Sequence, residues 1–194
     1  HNLNLGARWS GRTAPFRVSG EVNTFYRFSR DFIRFNPLGP FGEYENLENV
    51  RTEGVEGSLT LNYREFVALD GHLTYQNLTD RTTLDEGLRN TNYESRVPNV
   101  PYLFGGARLA LTPTSASADH SVRIYWSTRY VHSFFLTWED LGAPDEKNVI
   151  PAKTTHDVEV EAGMMDGTVN LSLSVRNVTD ATVFDNFNIQ KPGR

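Results

Sequence analysis

From Val169 to Arg176 the chain alternates without a break. Val169, Leu171, Leu173 and Val175 point one way, and Asn170, Ser172, Ser174 and Arg176 point the other. A repeat of two is the side-chain period of an extended strand, and no helix satisfies it. The segment must therefore present one apolar and one polar face. The same demand recurs along almost the whole chain, and it excludes any fold built on helices.

Eight such segments are expected. Leu3, Leu5, Ala7 and Trp9 alternate with Asn4, Gly6, Arg8 and Ser10 in the first. In the second, Phe16, Val18, Val22, Tyr26 and Phe28 oppose Arg17, Ser19, Glu21, Asn23 and Arg27, and the alternation runs on loosely to about Phe35. A third strand is expected from about Tyr44 to Arg64, a fourth from Leu69 to about Leu78, and a fifth from Val100 to Thr112. The sixth reads from Ser121 to Trp138. The seventh sets Val158, Val160 and Ala162 against Asp157, Glu159 and Glu161, and reaches the eighth through an Asp166-Gly167 hairpin turn. The second and third strands far exceed the usual soluble length of about 5–6 residues, and also the ~9–11 needed to cross a bilayer. Such strands are expected to stand proud of a membrane.

The connections sort by length. Gly11–Pro15, Glu65–Leu69, Pro113–His120 and Asp166–Gly167 are short; Asn36–Glu43, Thr79–Asn99, Glu139–Ala152 and the segment after Thr179 are long. Short turns at one rim and long loops at the other belong to antiparallel up-and-down transmembrane β-barrels. The fold class expected is therefore all-β: a barrel segment of about eight long strands. Two alternatives satisfy the alternation: a complete eight-stranded outer-membrane barrel with a structural or adhesive role, and a soluble β-sandwich that binds carbohydrate. Neither explains the sorting of loops together with the further loop after the eighth strand.

Composition narrows the function. A net charge of −5, without a basic tract, gives no nucleic-acid footprint, so no nucleic-acid partner is expected. The absence of cysteine removes disulfides and thiolate metal sites. A mean hydropathy of −0.47 is compatible with a membrane barrel, because lipid-facing and lumen-facing residues average out. Phosphate loops, dinucleotide fingerprints and zinc helices are missing. The five histidines are scattered, and His132 and Ser133 point to opposite faces of a strand, so they cannot act as base and nucleophile. Glu139, Asp140, Asp145 and Glu146 read as a solvated acidic loop rather than a calcium site. Gly105-Gly106 inside a strand reads as a close backbone approach. No enzyme, metal or cofactor is expected.

Three motifs carry a family resemblance. Asn177-Val178-Thr179-Asp180, followed by Phe184, Asp185, Asn186 and Phe187 and then Lys191-Pro192-Gly193-Arg194, resembles the C-terminal end of TonB-dependent outer-membrane receptors. Asn49 with Gly54-Val55-Glu56 resembles a mid-barrel signature of that family, as does Arg96-Val97-Pro98-Asn99-Val100-Pro101. The resemblance implies that residues 1–194 are the C-terminal portion of a barrel of about 22 strands. The plug domain, the coupling box and a final aromatic-ended strand would lie outside it. It further implies a bacterial outer-membrane location and lipid around the wall. The activity implied is uptake of a scarce small molecule (iron–siderophore, cobalamin or glycan). Energy would come from a TonB-type coupling protein acting through the upstream part.

Ligand contacts are expected on the long-loop rim, where a rigid wall holds variable loops. The residues that stand out there are Phe41, Tyr44, Arg81, Tyr93, Arg96, Trp138 and Asp140. Below them Arg123, Arg129, Glu159, Glu161 and Arg176 would line the lumen, with the acids paired to neighbouring arginines such as Arg176.

Overall fold

The computed structural model describes residues 1–36, 43–83, 88–113, 120–139, 148–165 and 168–184. Its strands are β1 (Asn2–Thr13), β2 (Phe16–Asn36), β3 (Glu43–Tyr63), β4 (Val67–Asp80), β5 (Leu103–Leu111), β6 (His120–Val131), β7 (Phe134–Phe135), β8 (Val149–Ile150), β9 (Lys153–Met164) and β10 (Val169–Val175). Eight of them form one antiparallel sheet in the order β1-β2-β3-β4-β5-β6-β9-β10, and β7 and β8 make a small separate hairpin. Each large strand pairs with the next along the chain, which is the up-and-down order read from the sequence. The sheet is one layer with β1 and β10 at its edges, so it is neither a sandwich nor a closed eight-stranded barrel.

Register keeps the faces in phase across the sheet. Val18 pairs with Leu61, Leu61 with Leu69, and Leu69 with Leu109. Leu109 then pairs with Trp126, Trp126 with Val158, and Val158 with Val175. This row is apolar throughout, and its side chains are not covered by other parts of the chain. Leu5 and Leu173, near opposite edges, are 74% and 69% exposed. Along β2 the apolar face spans ten residue steps, from Phe16 to Tyr26. At about 3.3 Å per residue and a tilt near 40°, that gives a band about 25 Å tall, the height of a membrane barrel's lipid face. Beyond the band the outward face turns charged, with Arg51 Nη2 3.5 Å from Glu53 Oε1.

Three features depart from the expected strands. Asp31 has a left-handed φ of 54° and drops out of the β2–β3 ladder between the pairs Arg30–Asn49 and Phe32–Leu47. Below it the even-numbered residues of β2 face outward. Above it Phe32 packs inward, Arg34 is buried, and Ile33 is exposed. The sixth strand stops at Val131 instead of continuing to Trp138, and β7 turns away to pair with β8. The loop after β4 returns along that strand, through a bridge between Thr79 and Arg96 and a bond from the Val97 amide to the Leu78 carbonyl. The hairpin turn at Asp166-Gly167 lies outside the described residues.

The buried core sits in the rim rather than the wall. One cluster joins Leu47, Val50, Val97 and Trp138; the other joins Phe134, Leu136 and Ile150. A wall one layer thick has no interior of its own, and among the described residues the buried clusters form where loop segments cover the strand ends. Gly105 and Gly106 need their missing side chains: a Cβ would lie 2.3 Å from the His72 carbonyl oxygen and 2.9 Å from that of Thr128. This is the close approach read from the sequence.

Candidate functional site

The concave face of the sheet is polar and laced by charge. Thr60 Oγ1 donates to Asp70 Oδ1 at 2.7 Å, and Asp70 stands across the ladder from Arg108. Arg108 lies 3.6 Å from Glu159 and places its guanidinium 4.0 Å from the Tyr125 ring. The Tyr125 hydroxyl donates to Glu161 at 3.1 Å, and Arg129 pairs with Asp157. Asp70, His72, Arg108, Arg129, Asp157 and Glu159 border a recess of about 740 Å³. The acids of β9 are thus met from β5 and β6, and Arg176, expected from the sequence, borders the same recess with its charge near Asp157. The reason is reach: Arg108 and Arg129 extend along the concave face towards β9.

Above the wall, the rim is organised by Asp80, the last residue of β4. Its carboxylate is fully buried and accepts from the Thr82 amide and from Asn90 Nδ2, each at 2.8 Å. Its amide donates to the Ser95 carbonyl and its carbonyl accepts from the Glu94 amide. One residue therefore ties together the start, middle and later part of the same loop, through its side chain at Thr82 and Asn90 and its backbone at Glu94 and Ser95. On that frame Arg81 pairs with Glu94 and lays its guanidinium 5.3 Å from the Tyr93 ring. Arg89 approaches the same ring at 4.6 Å. The hydrogen bond from Arg81, with its positive charge, holds the Glu94 carboxyl below its ordinary range.

Of the residues singled out in the sequence, the structure brings Arg81 and Tyr93 into contact. Arg96 faces a different neighbourhood, stacked 4.4 Å over Tyr102 and donating to Asn77 Oδ1 at 3.0 Å. Tyr44 is 76% exposed. Trp138 is buried, with the Arg34 guanidinium 5.0 Å above its ring. Phe41 and Asp140 lie outside the described residues. Sequence reading missed Arg89, Arg34 and Asp80. Arg89 sits in an aperiodic loop, where nothing marks which residues meet. Asp80 and Arg34 fall in strand ends, where an isolated charge looks solvated.

The arrangement can present the Tyr93 ring with the exposed Arg89 guanidinium beside it, while Arg81, paired with Glu94 and mostly buried, steadies the ring. Guanidinium groups bind planar or chelated oxyanions through paired hydrogen bonds, and an adjacent ring adds stacking. Nothing in it resembles a nucleophile–base pair.

Comparison with known proteins fits this wall and rim. Residues 1–178 match the family described as TonB dependent receptor-like, beta-barrel. Among solved structures, the chain resembles the FrpB iron transporter of Neisseria meningitidis (F3-3 variant), with a TM-score of 0.62 at 17% identity. That match covers 99% of this chain and 29% of the transporter. The ferric yersiniabactin uptake receptor FyuA of Yersinia pestis gives a TM-score of 0.62 at 20% identity, covering 93% of this chain and 25% of the receptor. BauA, the ferric preacinetobactin receptor of Acinetobacter baumannii, gives 0.61 at 16% identity, over 92% and 25%. No curated protein matches the chain. At these identities the likeness shows the fold, and the chain spans between a quarter and a third of each receptor's length. The family match extends over nearly all of the sequence, so the chain belongs to the β-barrel family of TonB-dependent receptors.

Proposed function

We propose that this chain forms part of the wall and rim of an outer-membrane receptor that imports an anionic metal chelate of the iron–siderophore class. Energy would come from a TonB-type coupling protein acting through parts of the receptor outside residues 1–194. The chain would supply the C-terminal portion of that barrel, its apolar face against lipid. The observation that carries the ligand class is the contact of Arg81 and Arg89 with Tyr93 at the open rim. The exposed Arg89 cation beside a ring that Arg81 steadies favours an oxyanion-rich ligand over a neutral glycan, which needs bare aromatic platforms. The iron ligands named for FrpB, FyuA and BauA point the same way.

The test is direct binding of ferric chelates to the full-length receptor. Arg89→Ala with Tyr93→Ala should weaken binding by about tenfold or more, on the scale of one or two charge-assisted contacts, while the barrel still assembles. Unchanged affinity in an assembled double variant would place the binding surface elsewhere, on the plug first of all.

A further inference from the structure

Above the apolar band, the outward face carries two arginines on either side of a hydroxyl that has nothing to bond. Arg51 of β3 stands directly across the ladder from Thr79 of β4, and Thr79 bridges to Arg96 on the returning leg of the β4–β5 loop. Residues paired across a ladder share a face. Thr79 has the parity of Leu69 and Leu73, and Arg51 that of Leu61 and Leu59, so the whole row faces outward. The bonds of Arg96 agree: Nε donates to Asn77 Oδ1 at 3.0 Å and Nη2 to the Tyr75 hydroxyl at 3.5 Å, both on that face of β4.

Thr79 is 4% exposed and its Oγ1 has no hydrogen-bond partner; Arg51 Nε, also buried, has none either. A guanidinium nitrogen can only donate, and a hydroxyl donates as readily as it accepts. The row therefore lacks an acceptor. The acids beside it do not supply one, because Glu53 meets Arg51 only at Nη2, 3.5 Å away, and Glu94 is paired with Arg81. Buried donors left unmade are costly, and an oxyanion seated between the two guanidiniums would satisfy both.

Aromatic rings fix the height of the row. Tyr75, 39% exposed, ends the apolar run of β4, and its ring stands edge-on to that of Tyr102 at 6.4 Å. The Arg96 guanidinium lies 4.4 Å over Tyr102. Tyrosines and arginines so placed belong at the level of lipid headgroups. An acyl chain lying on the band below delivers its phosphate to this height, whereas a free anion arrives unaided. We propose that Arg51, Thr79 and Arg96 bind the phosphate of an anionic lipid in the leaflet at the long-loop rim, and so tie the returning leg of the β4–β5 loop to the membrane surface. The proposal rests on the membrane-barrel reading and is independent of the transported ligand.

The experiment offers lipid A, a bisphosphorylated glucosamine lipid, and its dephosphorylated form to the detergent-extracted full-length receptor, and counts retained lipid by native mass spectrometry. Wild-type protein should retain the phosphorylated form about tenfold over the other, the scale of one charge-assisted contact. Exchange of the Val97 amide, which bonds to the Leu78 carbonyl, should slow with the phosphorylated lipid alone. Arg51→Gln with Arg96→Gln should abolish the preference, and Arg123→Gln, on the concave face, should keep it. Thr79→Val keeps the shape and removes the hydroxyl. It should lower the preference while leaving the lipid-free barrel as stable as wild type or more so, since a partnerless buried hydroxyl is lost. A Thr79→Val barrel that loses stability and keeps the preference shows a merely structural threonine and overturns the site. A folded wild-type barrel indifferent to the phosphates, or a folded double variant with wild-type retention, overturns it too. Displacement of the phosphorylated lipid by millimolar inorganic phosphate assigns the row to a free anion, and a phosphate preference without slower Val97 exchange overturns the hold on the loop. Folding is read from the heat-modifiable mobility of the barrel in electrophoresis. A wild-type receptor without that mobility defeats the membrane reading itself, and the lipid site with it.

Discussion

The guanidinium of Arg34 lies 5.0 Å above the indole of Trp138, and both side chains are buried. The contact ties the top of β2 to a residue just beyond the β7 strand. Around it Leu47, Val50 and Val97 close the larger of the two rim clusters. The hold on the loops is therefore hydrophobic burial capped by a cation.

Replacing Trp138 should loosen the rim without breaching the wall. Trp138→Ala removes a large buried side chain, a change that costs about 3–5 kcal/mol in a packed site. Hydrogen exchange in the full-length receptor should show faster exchange at the Asp80 and Val97 amides, which bond to Ser95 and Leu78. The ladder amides of β2 and β3 below Asp31 should stay protected. Trp138→Phe, which keeps a ring beneath Arg34, should fall between. Wild-type protection in Trp138→Ala would show that the cluster does not hold the loop.

The two faces of β3 should respond oppositely to charge. Leu59 points outward between Gly20 and Gly71 in the ladder, while Thr60 points inward and bonds Asp70. Leu59→Arg should cost about 2–4 kcal/mol on folding into bilayers. Thr60→Arg should cost much less, because its new cation meets Asp70 and water. Equal losses for the two variants in bilayer refolding titrations would sink the assignment of lipid and lumen faces.

Acid should release the rim before the wall. Glu94 titrates below its ordinary range of roughly 4.3, because Arg81 stabilises its charged form. A lowered folded value means that the pair's contribution is complete above the unfolded value. It is lost as pH falls through the lower folded one. Amide exchange of Arg81, Glu94 and Ser95 should therefore accelerate below about pH 4, and Glu94→Gln should be loosened already at neutral pH with no further change across that window. A Glu94→Gln variant that keeps the wild-type pH response would place the titrating group elsewhere.

The wall was legible because its constraint is local and repeated. Val169 to Val175 cannot alternate as it does and be anything but a strand with two unlike faces, and the strands upstream repeat the condition. The sorting of turns and loops then gave the order that the sheet adopts. The rim was less legible because its contacts join aperiodic segments. Trp138 reads as a loop aromatic open to ligand, yet it is buried beneath Arg34, and that follows only once β2 and the segment just after β7 stand side by side. Arg176 was legible as one neighbour of the β9 acids because it lies across the hairpin, whereas the partners of Glu159 and Glu161 were not. The side chains that reach them, Arg108 and Tyr125, come from β5 and β6. Asp31 left no trace either: an aspartate among alternating residues does not announce a positive φ.

That single left-handed residue gives β2 two grammars. Below it, an apolar even-numbered position addresses lipid; above it, an even-numbered position addresses the packed interior of the rim. Evolution can thus rewrite the upper clause without retuning the lower one, where membrane thickness dictates the spelling. A recombination joint at residue 31 would exchange one rim for another with every side chain still aimed correctly. The same joint with a residue added or lost would turn Phe32 outward to water and Ile33 in. Diversity at the mouth of such a receptor is therefore limited less by sequence than by where the parity of the strand changes.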